Sequence, residues 1–294
     1  MSEGPDAGGA AAAHGPARVS RRRFVAGALG LAAAAGGSVA FASGGWDGLP
    51  EIPGLTGIGG PLPQERRVDP VPVPRADLQA RARVGSAAYV YELSGKRATY
   101  YVTEAFGRRL DAWLALHAEH VGQAPEQVWS YGAWAPAAAT SWHASGEAFD
   151  LSRLRAGGAD LISLRYDAWR DAPAAELRRR LRLYWRTAAA LHLEFADVLT
   201  YLYNSAHANH IHVDIGRFGP ERPRLIRRSR AQVQAVQAMC RYVWGRTDVP
   251  LSGRFDEPTR DATTAVLASV GDPGELADSR EAWQAFLVAT MQRA

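Results

Sequence analysis

A chain of 294 residues that is 47% hydrophobic can fill one large core and a smaller second one, so neither a fibrous protein nor a membrane array is expected. The formal net charge of +4 falls to about +2 without residues 1–42, which carry four arginines and two acids. This near-neutral remainder has no Lys/Arg run interleaved with aromatics, so nucleic acid is not an expected partner. The single cysteine, Cys240, cannot close a disulfide within the chain, and a small buried apolar residue is its simplest interpretation.

Residues 1–45 have the three parts of an export signal in the expected order. Arg21 and Arg22 stand in a Ser-Arg-Arg-x-Phe-Val context, an Ala/Gly-rich run spans 25–39, and residues 40–42 (A-F-A) form a small-x-small cleavage signal. The run is short and rich in glycine for a membrane span, although an uncleaved N-terminal anchor is an alternative. The paired arginines resemble a twin-arginine signal, which the export machinery reads as an address and which is not an anchor.

We therefore expect an exported protein, periplasmic or extracellular and associated with the cell wall, with no stable membrane span after signal cleavage. Outside the membrane there is no supply of ATP or NAD(P)H, which favours hydrolysis or binding over cofactor chemistry.

Composition divides the rest of the chain into four predicted segments. Residues 46–77 are rich in proline and glycine and are expected to form an extended linker or a coat across the next domain. Residues 78–218 mix short strands with helices, residues 219–230 are a basic linker, and residues 231–294 are largely helical. The predicted fold is α+β, a small antiparallel sheet with flanking helices, followed by a small all-α domain of three helices.

The elements of the middle segment are predicted from hydrophobic periodicity and from capping and turn residues. In chain order they are a strand at 88–93, a Ser94-Gly95 turn, a partner strand at 98–102, a helix from the cap Thr103 to His120, a short strand at 127–133, a helix at 177–193 and a strand ending at 211–215.

Three histidines, His207, His210 and His212, fall within six residues in the pattern H-x-x-H-x-H. If 211–213 is a strand, His210 and His212 project from the same face. Two imidazoles on one face cost desolvation energy unless they meet a metal, a carboxylate or a substrate. The pattern therefore favours a metal site or catalysis over coincidence.

A second segment, S-x-H-x-x-G-x-A-x-D at 141–150, supplies His143 and Asp150. An imidazole nitrogen and a carboxylate oxygen suit zinc in a site with three protein ligands and water in the fourth position. Such an open site is catalytic in type, because zinc lowers the pKa of its bound water towards ~7 and polarises a carbonyl.

These two segments together resemble the zinc D-alanyl-D-alanine peptidases, which include D,D-carboxypeptidases and murein endopeptidases, and in particular the bacterial extensin-like C-terminal domain. The resemblance covers roughly residues 80–218. It implies that His143, Asp150 and His212 bind zinc, that His210 is an active-site histidine, and that His207 is auxiliary.

The sequence also departs from the family pattern. Asn209 stands where some relatives have an acidic residue and cannot serve as a general base. Residues 131–140 lack the arginine that many relatives use to hold a substrate carboxylate, and the paired cysteines of extensin-like relatives are absent. If the protein is active, the expected base is His210 or His207, both of which are expected to titrate near neutral pH.

Several neighbouring side chains have two interpretations. Tyr131, Trp142 and Trp134 either line a groove for wall polymer or pack in the core. Ser141 is counted with Tyr131 and Trp142 as a substrate-binding candidate, although orienting the loop is its simpler role. Asp214 either holds the second nitrogen of a ligand or ends the strand, and Glu147 is either a solvated side chain or a base.

The C-terminal region resembles a small peptidoglycan-binding domain. The stretches 233–239 and 251–262 match its V-x-x-x-Q helix, its turn and the Phe and Thr of its second motif, and 282–287 fits its last helix. A three-helix packing module without a ligand is the alternative.

The function expected from the sequence is a zinc metallopeptidase that hydrolyses peptide bonds of peptidoglycan. One alternative is a non-catalytic peptidoglycan-binding protein whose zinc site has lost turnover, and another is a structural zinc domain with a closed fourth position.

Overall fold

The computed structural model describes residues 69–136, 141–216, 223–272 and 274–293. The predicted export signal with Arg21 and Arg22, and the linker up to residue 68, lie outside the described residues. None of the helices in the described ranges has the length and apolar character needed to cross a membrane.

A mixed β-sheet lies at the centre of the described structure. The strands are β1 Gln79–Arg81, β2 Arg83–Val84, β3 Ala87–Tyr91, β4 Lys96–Arg97, β5 Tyr100–Val102, β6 Gln127–Ser130, β7 Ala148–Ala156, β8 Ala159–Ser163, β9 Asp197–Leu199 and β10 Ile211–Asp214. Eight of them form one sheet in the order β2-β3-β6-β7-β10-β9, with β4 on β3 and β8 on β7, whereas β1 and β5 form a separate pair.

Seven α-helices accompany the sheet in the described ranges, and the α+β class is therefore confirmed. They are α1 Glu104–His120, α2 Trp142–Ser145, α3 Tyr166–Trp169, α4 Ala174–Glu194, α5 Arg230–Tyr242, α6 Glu257–Ser269 and α7 Arg280–Gln292. The helix α4 packs against α1 and also against α5 and α7. The apolar side chains of the sheet, of α1 and α4, and of the three C-terminal helices belong to one buried cluster.

The predicted helices have the expected caps and extents. Thr103 begins α1, and its side chain accepts a hydrogen bond from the backbone N–H of Phe106 at 3.2 Å. The helix α4 contains the whole predicted stretch 177–193, and the three C-terminal helices begin with Arg230. Cys240 is fully buried, as its simplest interpretation required, and burial raises the pKa of its thiol to about 12.

Two predictions about the sheet are wrong. The segment 98–102 was expected to pair with the strand at 88–93, but β5 pairs with β1, and the short β4 takes the place beside β3. The sheet is also not purely antiparallel, because β3 and β6 run parallel. The physical reason is the 17-residue helix α1, which carries the chain back across the sheet between these two strands.

The strand predicted at 127–133, which is β6, is shorter than expected. It ends at Ser130 rather than at residue 133, since Gly132 has a φ of +146° and the Ser130 hydroxyl accepts a hydrogen bond from the Gly132 N–H at 2.9 Å. The regular strand therefore ends here. Tyr131 and Gly132 still form backbone hydrogen bonds with Asp150 of β7, at 2.9 and 3.0 Å, and residues 133–136 continue to the site described next.

Candidate metal centre

Strand register brings the two histidine-containing segments together. In the antiparallel pair β7/β10, His212 lies directly opposite Asp150. The Nδ1 atom of His212 is 2.8 Å from Oδ1 of Asp150, and Nε2 of His143 is 3.3 Å from the same oxygen. One ligand atom from each of His143, Asp150 and His212 lies within 4.8 Å of the other two, so this cluster could hold a metal ion.

The short helix α2 presents His143. The Ser141 side chain caps the helix by accepting a hydrogen bond from the His143 backbone N–H at 3.3 Å, and Gly146 ends it with a φ of +73°. Ser141 is buried, so its hydroxyl holds the ligand turn in place, which is the loop-orienting role considered for it.

Each histidine of the cluster is held through its other nitrogen. Nδ1 of His143 contacts the carbonyl oxygen of Ala133, and Nε2 of His212 lies 3.0 Å from Oδ2 of Asp214. With a metal bound, an N–H at each of these positions would donate to its oxygen, and His143 Nε2 and His212 Nδ1 would be left to coordinate the ion. Asp214 therefore contacts the second nitrogen of His212 and is also the last residue of β10.

The electrostatics of the cluster favour charged groups despite burial. Burial opposes ionisation of Asp150, but the neighbouring His143 and His210 and the hydrogen bonds from His143 and His212 outweigh it and hold the pKa well below its usual value. Burial also lowers the pKa of His212, yet hydrogen bonds to Asp150 and Asp214 raise it to about 10. In the metal-free protein, the protonated His212 ring thus lies between the carboxylates of Asp150 and Asp214.

The other two histidines line the cluster. His210 lies just before β10, with Nε2 at 3.6 Å from Oδ1 of Asp150 and Nδ1 at 2.6 Å from the side-chain oxygen of Asn209. Nδ1 of His207 is 2.7 Å from the side-chain oxygen of Asn204, and the rings of His207 and His210 are 5.2 Å apart.

The pKa values of these two histidines are lower than expected from the sequence. Burial, followed by the neighbouring His212 and His210, lowers the pKa of His207 to about 3, and burial also lowers the pKa of His210. The expectation that His207 titrates near neutral pH is therefore wrong for the metal-free protein, because the imidazole is buried and lies beside two other imidazoles.

The aromatic candidates have different positions. The Tyr131 ring is 5.8 Å from the His210 ring and so lies at the site. Trp142 is partly buried on the ligand helix. The indole Nε1 of Trp134 donates to the Val73 carbonyl at 3.0 Å and is thus engaged by the chain upstream. Glu147 is outside the ligand cluster, and its pKa is raised chiefly by burial.

Sequence reasoning missed the contribution of the loop at 133–135. Besides the Ala133 carbonyl, the Ala135 N–H donates to the His143 carbonyl at 3.3 Å. Backbone groups leave no residue-type signal, so only the tertiary structure identifies them.

The described fold and site define an α+β protein with a His–Asp–His cluster that could bind a metal. Residues 131–223 match the family model described as extensin-like protein C-terminus. The match covers less than half of the chain but includes both histidine-containing segments, in agreement with the extensin-like resemblance. No curated protein and no solved structure gives a significant match.

Proposed function

We propose that this protein is an exported zinc metallopeptidase that hydrolyses peptide bonds of peptidoglycan, of the D,D-carboxypeptidase or endopeptidase type. The observation that carries the proposal is the convergence of His143, Asp150 and His212 on one point, each with a ligand atom facing the others. The match of residues 131–223 to the extensin-like family supports it.

The donor set fits zinc. Two imidazole nitrogens and one carboxylate oxygen are typical of catalytic zinc sites with three protein ligands. Ligand atoms bonded at ~2.0–2.1 Å in a tetrahedron lie about 3.3 Å apart. In this structure Oδ1 of Asp150 is 3.3 Å from His143 Nε2 and 2.8 Å from His212 Nδ1, so the second pair would have to separate slightly around the ion. A bound zinc ion would activate water for attack on a carbonyl carbon and polarise the carbonyl oxygen.

The remaining residues have proposed roles that follow from their contacts. Asp214 and the Ala133 carbonyl orient the two histidine ligands. Asn209 accepts from Nδ1 of His210, which leaves Nε2 of His210 facing the cluster and able to accept a proton there. Tyr131, next to His210, is positioned to contact the substrate peptide.

The proposal also includes export of the protein by the twin-arginine machinery and its location at the cell wall. The helices α5 to α7 are proposed to dock the protein on peptidoglycan, because the stretches 233–239, 251–262 and 282–287 resemble a peptidoglycan-binding domain.

A second candidate is a peptidoglycan-binding protein with a zinc site but no turnover. The observation that favours it is Asn209. Its side-chain oxygen is hydrogen-bonded to Nδ1 of His210, and an amide cannot act as a general base in place of a carboxylate.

Release of peptides or D-alanine from purified peptidoglycan separates the two candidates. We expect release by the wild-type protein, loss on chelation, recovery on zinc addition, and no release by His143→Ala. Stoichiometric zinc without release in any condition would favour the second candidate. Stoichiometric zinc retained by His143→Ala would contradict the site itself.

A further inference from the structure

The end of the proline-rich segment lies against the metal-ligating turn. We call Val73–Leu78 the strap. The N–H of Val73 donates to the Ala144 carbonyl at 2.9 Å, and the carbonyl of Val73 accepts from Nε1 of Trp134 at 3.0 Å. A single strap residue therefore binds both α2 and the loop that follows β6.

That loop holds His143 from two directions. The Ala133 carbonyl accepts from the His143 ring, and the Ala135 N–H donates to the His143 carbonyl. Trp134 stands between these two residues, so a displacement of its indole moves both contacts. The strap is thus two hydrogen bonds away from the ligand ring.

The other end of the strap contacts the residue that ends α2. Leu78 is buried against Gly146, where an added Cβ would come within 2.7 Å of the Leu78 side chain. The guanidinium of Arg75 lies 4.7 Å from the centre of the Tyr101 ring. Contacts at both ends of the strap, to Ala144 and to Gly146, therefore fix it relative to His143.

We infer that Trp134 is a positioning residue, through which the strap orients His143 and raises the metal affinity of the site. The inference rests on the proposed metal site and goes beyond it, because it assigns metal affinity to a segment outside the ligand motifs. Carbonyls and carboxylates that orient ligand histidines typically change metal affinity 10–100-fold when lost. Trp134 acts one step further out, so a loss of about tenfold is expected.

The test compares Trp134→Phe with Trp129→Phe in the full chain. The substitution at 134 removes the indole N–H but keeps an aromatic ring. Trp129 is a matched control, since it is also partly buried and its Nε1 also donates, to the Gln127 side chain at 2.8 Å. Zinc affinity is measured by competition with a chelator, ligand geometry by the visible absorption of the cobalt-substituted protein, and folding by thermal unfolding of the metal-free protein.

We expect Trp134→Phe to weaken zinc binding about tenfold and to alter the cobalt spectrum, whereas Trp129→Phe changes neither. Val73→Pro, which removes the N–H that binds Ala144 but keeps an extended backbone, is expected to weaken binding as well. Wild-type affinity and spectrum in Trp134→Phe, or equal losses in both tryptophan variants, would overturn the inference. Absence of zinc binding by the wild type would instead overturn the proposed function.

Discussion

At the scale of single residues, the site depends on which nitrogen of each histidine faces the centre. An unsupported imidazole can turn or change tautomer, and a metal then meets an N–H instead of a lone pair. In this chain, a backbone carbonyl fixes His143 and a carboxylate fixes His212. The carboxylate adds negative charge as well, so Asp214 is expected to contribute more to cation binding than the neutral carbonyl does.

The substitution Asp214→Asn tests this contribution. It keeps the size of the side chain but removes the charge that faces Nε2 of His212, and we expect zinc affinity to fall about 10–100-fold. Asp160→Asn is the control, because Asp160 pairs with Arg153 and Arg155 and lies outside the ligand cluster. Equal zinc affinity of the two variants, measured by chelator competition, would contradict the role of Asp214.

A glycine is required at position 146 for two separate reasons, its backbone conformation and the lack of space for a side chain. A substitution at a second glycine can distinguish them. Its φ of +73° disfavours any other residue, and Leu78 leaves no room for a Cβ. Gly158 has a similar φ of +78° but nothing within 4 Å of an added Cβ. We expect Gly158→Ala to lower the free energy of unfolding by about 1 kcal/mol and Gly146→Ala to cost an additional ~1–3 kcal/mol from overpacking against Leu78.

Denaturant titration of the two glycine variants measures the difference. Equal losses of stability would mean that Leu78 moves aside freely and that the strap is not fixed against the turn.

The sequence predicted the cluster because its chemistry is carried by side chains, and because a family resemblance singled out His212 from the neighbouring His207 and His210. His143, Asp150 and His212 could be named before the fold was known, and the β7/β10 register then brings them together. The sequence could not predict that Asn209 orients His210 or that Val73 contacts Trp134. Both contacts depend on the paths of loops, which side-chain type does not determine.

At the scale of secondary-structure elements, helix α4 connects the sheet to the C-terminal helices. His192, on α4, is fully buried, and its ring lies 5.7 Å from that of Trp283 on α7. Neither ring nitrogen has a hydrogen-bond partner within the described ranges. Burial therefore lowers the pKa of His192 to about 3, and the neutral ring serves as a packing element.

This buried histidine predicts an acid-sensitive helix interface. An unfolded chain protonates His192 below pH ~6.5, while the folded protein resists protonation until about pH 3. The unfolded state then binds more protons, so the free energy of unfolding decreases by up to about 1.4 kcal/mol per pH unit as the pH falls through this window. We expect His192→Phe, which keeps an aromatic ring against Trp283, to remove this part of the slope.

Chemical denaturation of chelator-treated wild type and His192→Phe between pH 7 and pH 4 provides the comparison. Other buried histidines are common to both proteins and cancel in the difference. Parallel curves of stability against pH would show that His192 is not kept neutral by its position.

Strands were predicted less completely than helices for a physical reason. Helical periodicity and the Thr103 cap are signals within a short stretch of sequence, and they predicted both ends of α1 correctly. Strand pairing is a non-local choice, and the residues of β5 fit β1 as well as β3 by pattern alone. The strands β3 and β6 are parallel because α1 returns the chain to the same end of the sheet. The alternation of apolar and polar side chains within a strand does not reveal this direction.

At the scale of the whole molecule, the helices α5 to α7 share their core with the sheet. The Arg186 side chain donates to the Met291 carbonyl at 2.7 Å, and the Gln232 side chain donates to the Ala196 carbonyl at 3.3 Å. Trp283 and Phe286 are fully buried in the cluster that also contains Leu191. Residues 231–294 were predicted from composition as a separate small domain, and composition alone does not reveal whether two neighbouring regions bury apolar surface against each other.

The shared core predicts that the described parts of the chain unfold together. We expect calorimetry of the full chain to give one cooperative transition, because loss of α7 would expose the α4 face that contains His192 and Leu191. A chain ended after residue 228 should for the same reason lose its near-ultraviolet circular dichroism and bind a hydrophobic dye, while it keeps much of its helical signal. Two resolved transitions, or a truncated chain that retains native dichroism and zinc affinity, would mean that the helices are an independent domain attached to a self-sufficient metal site.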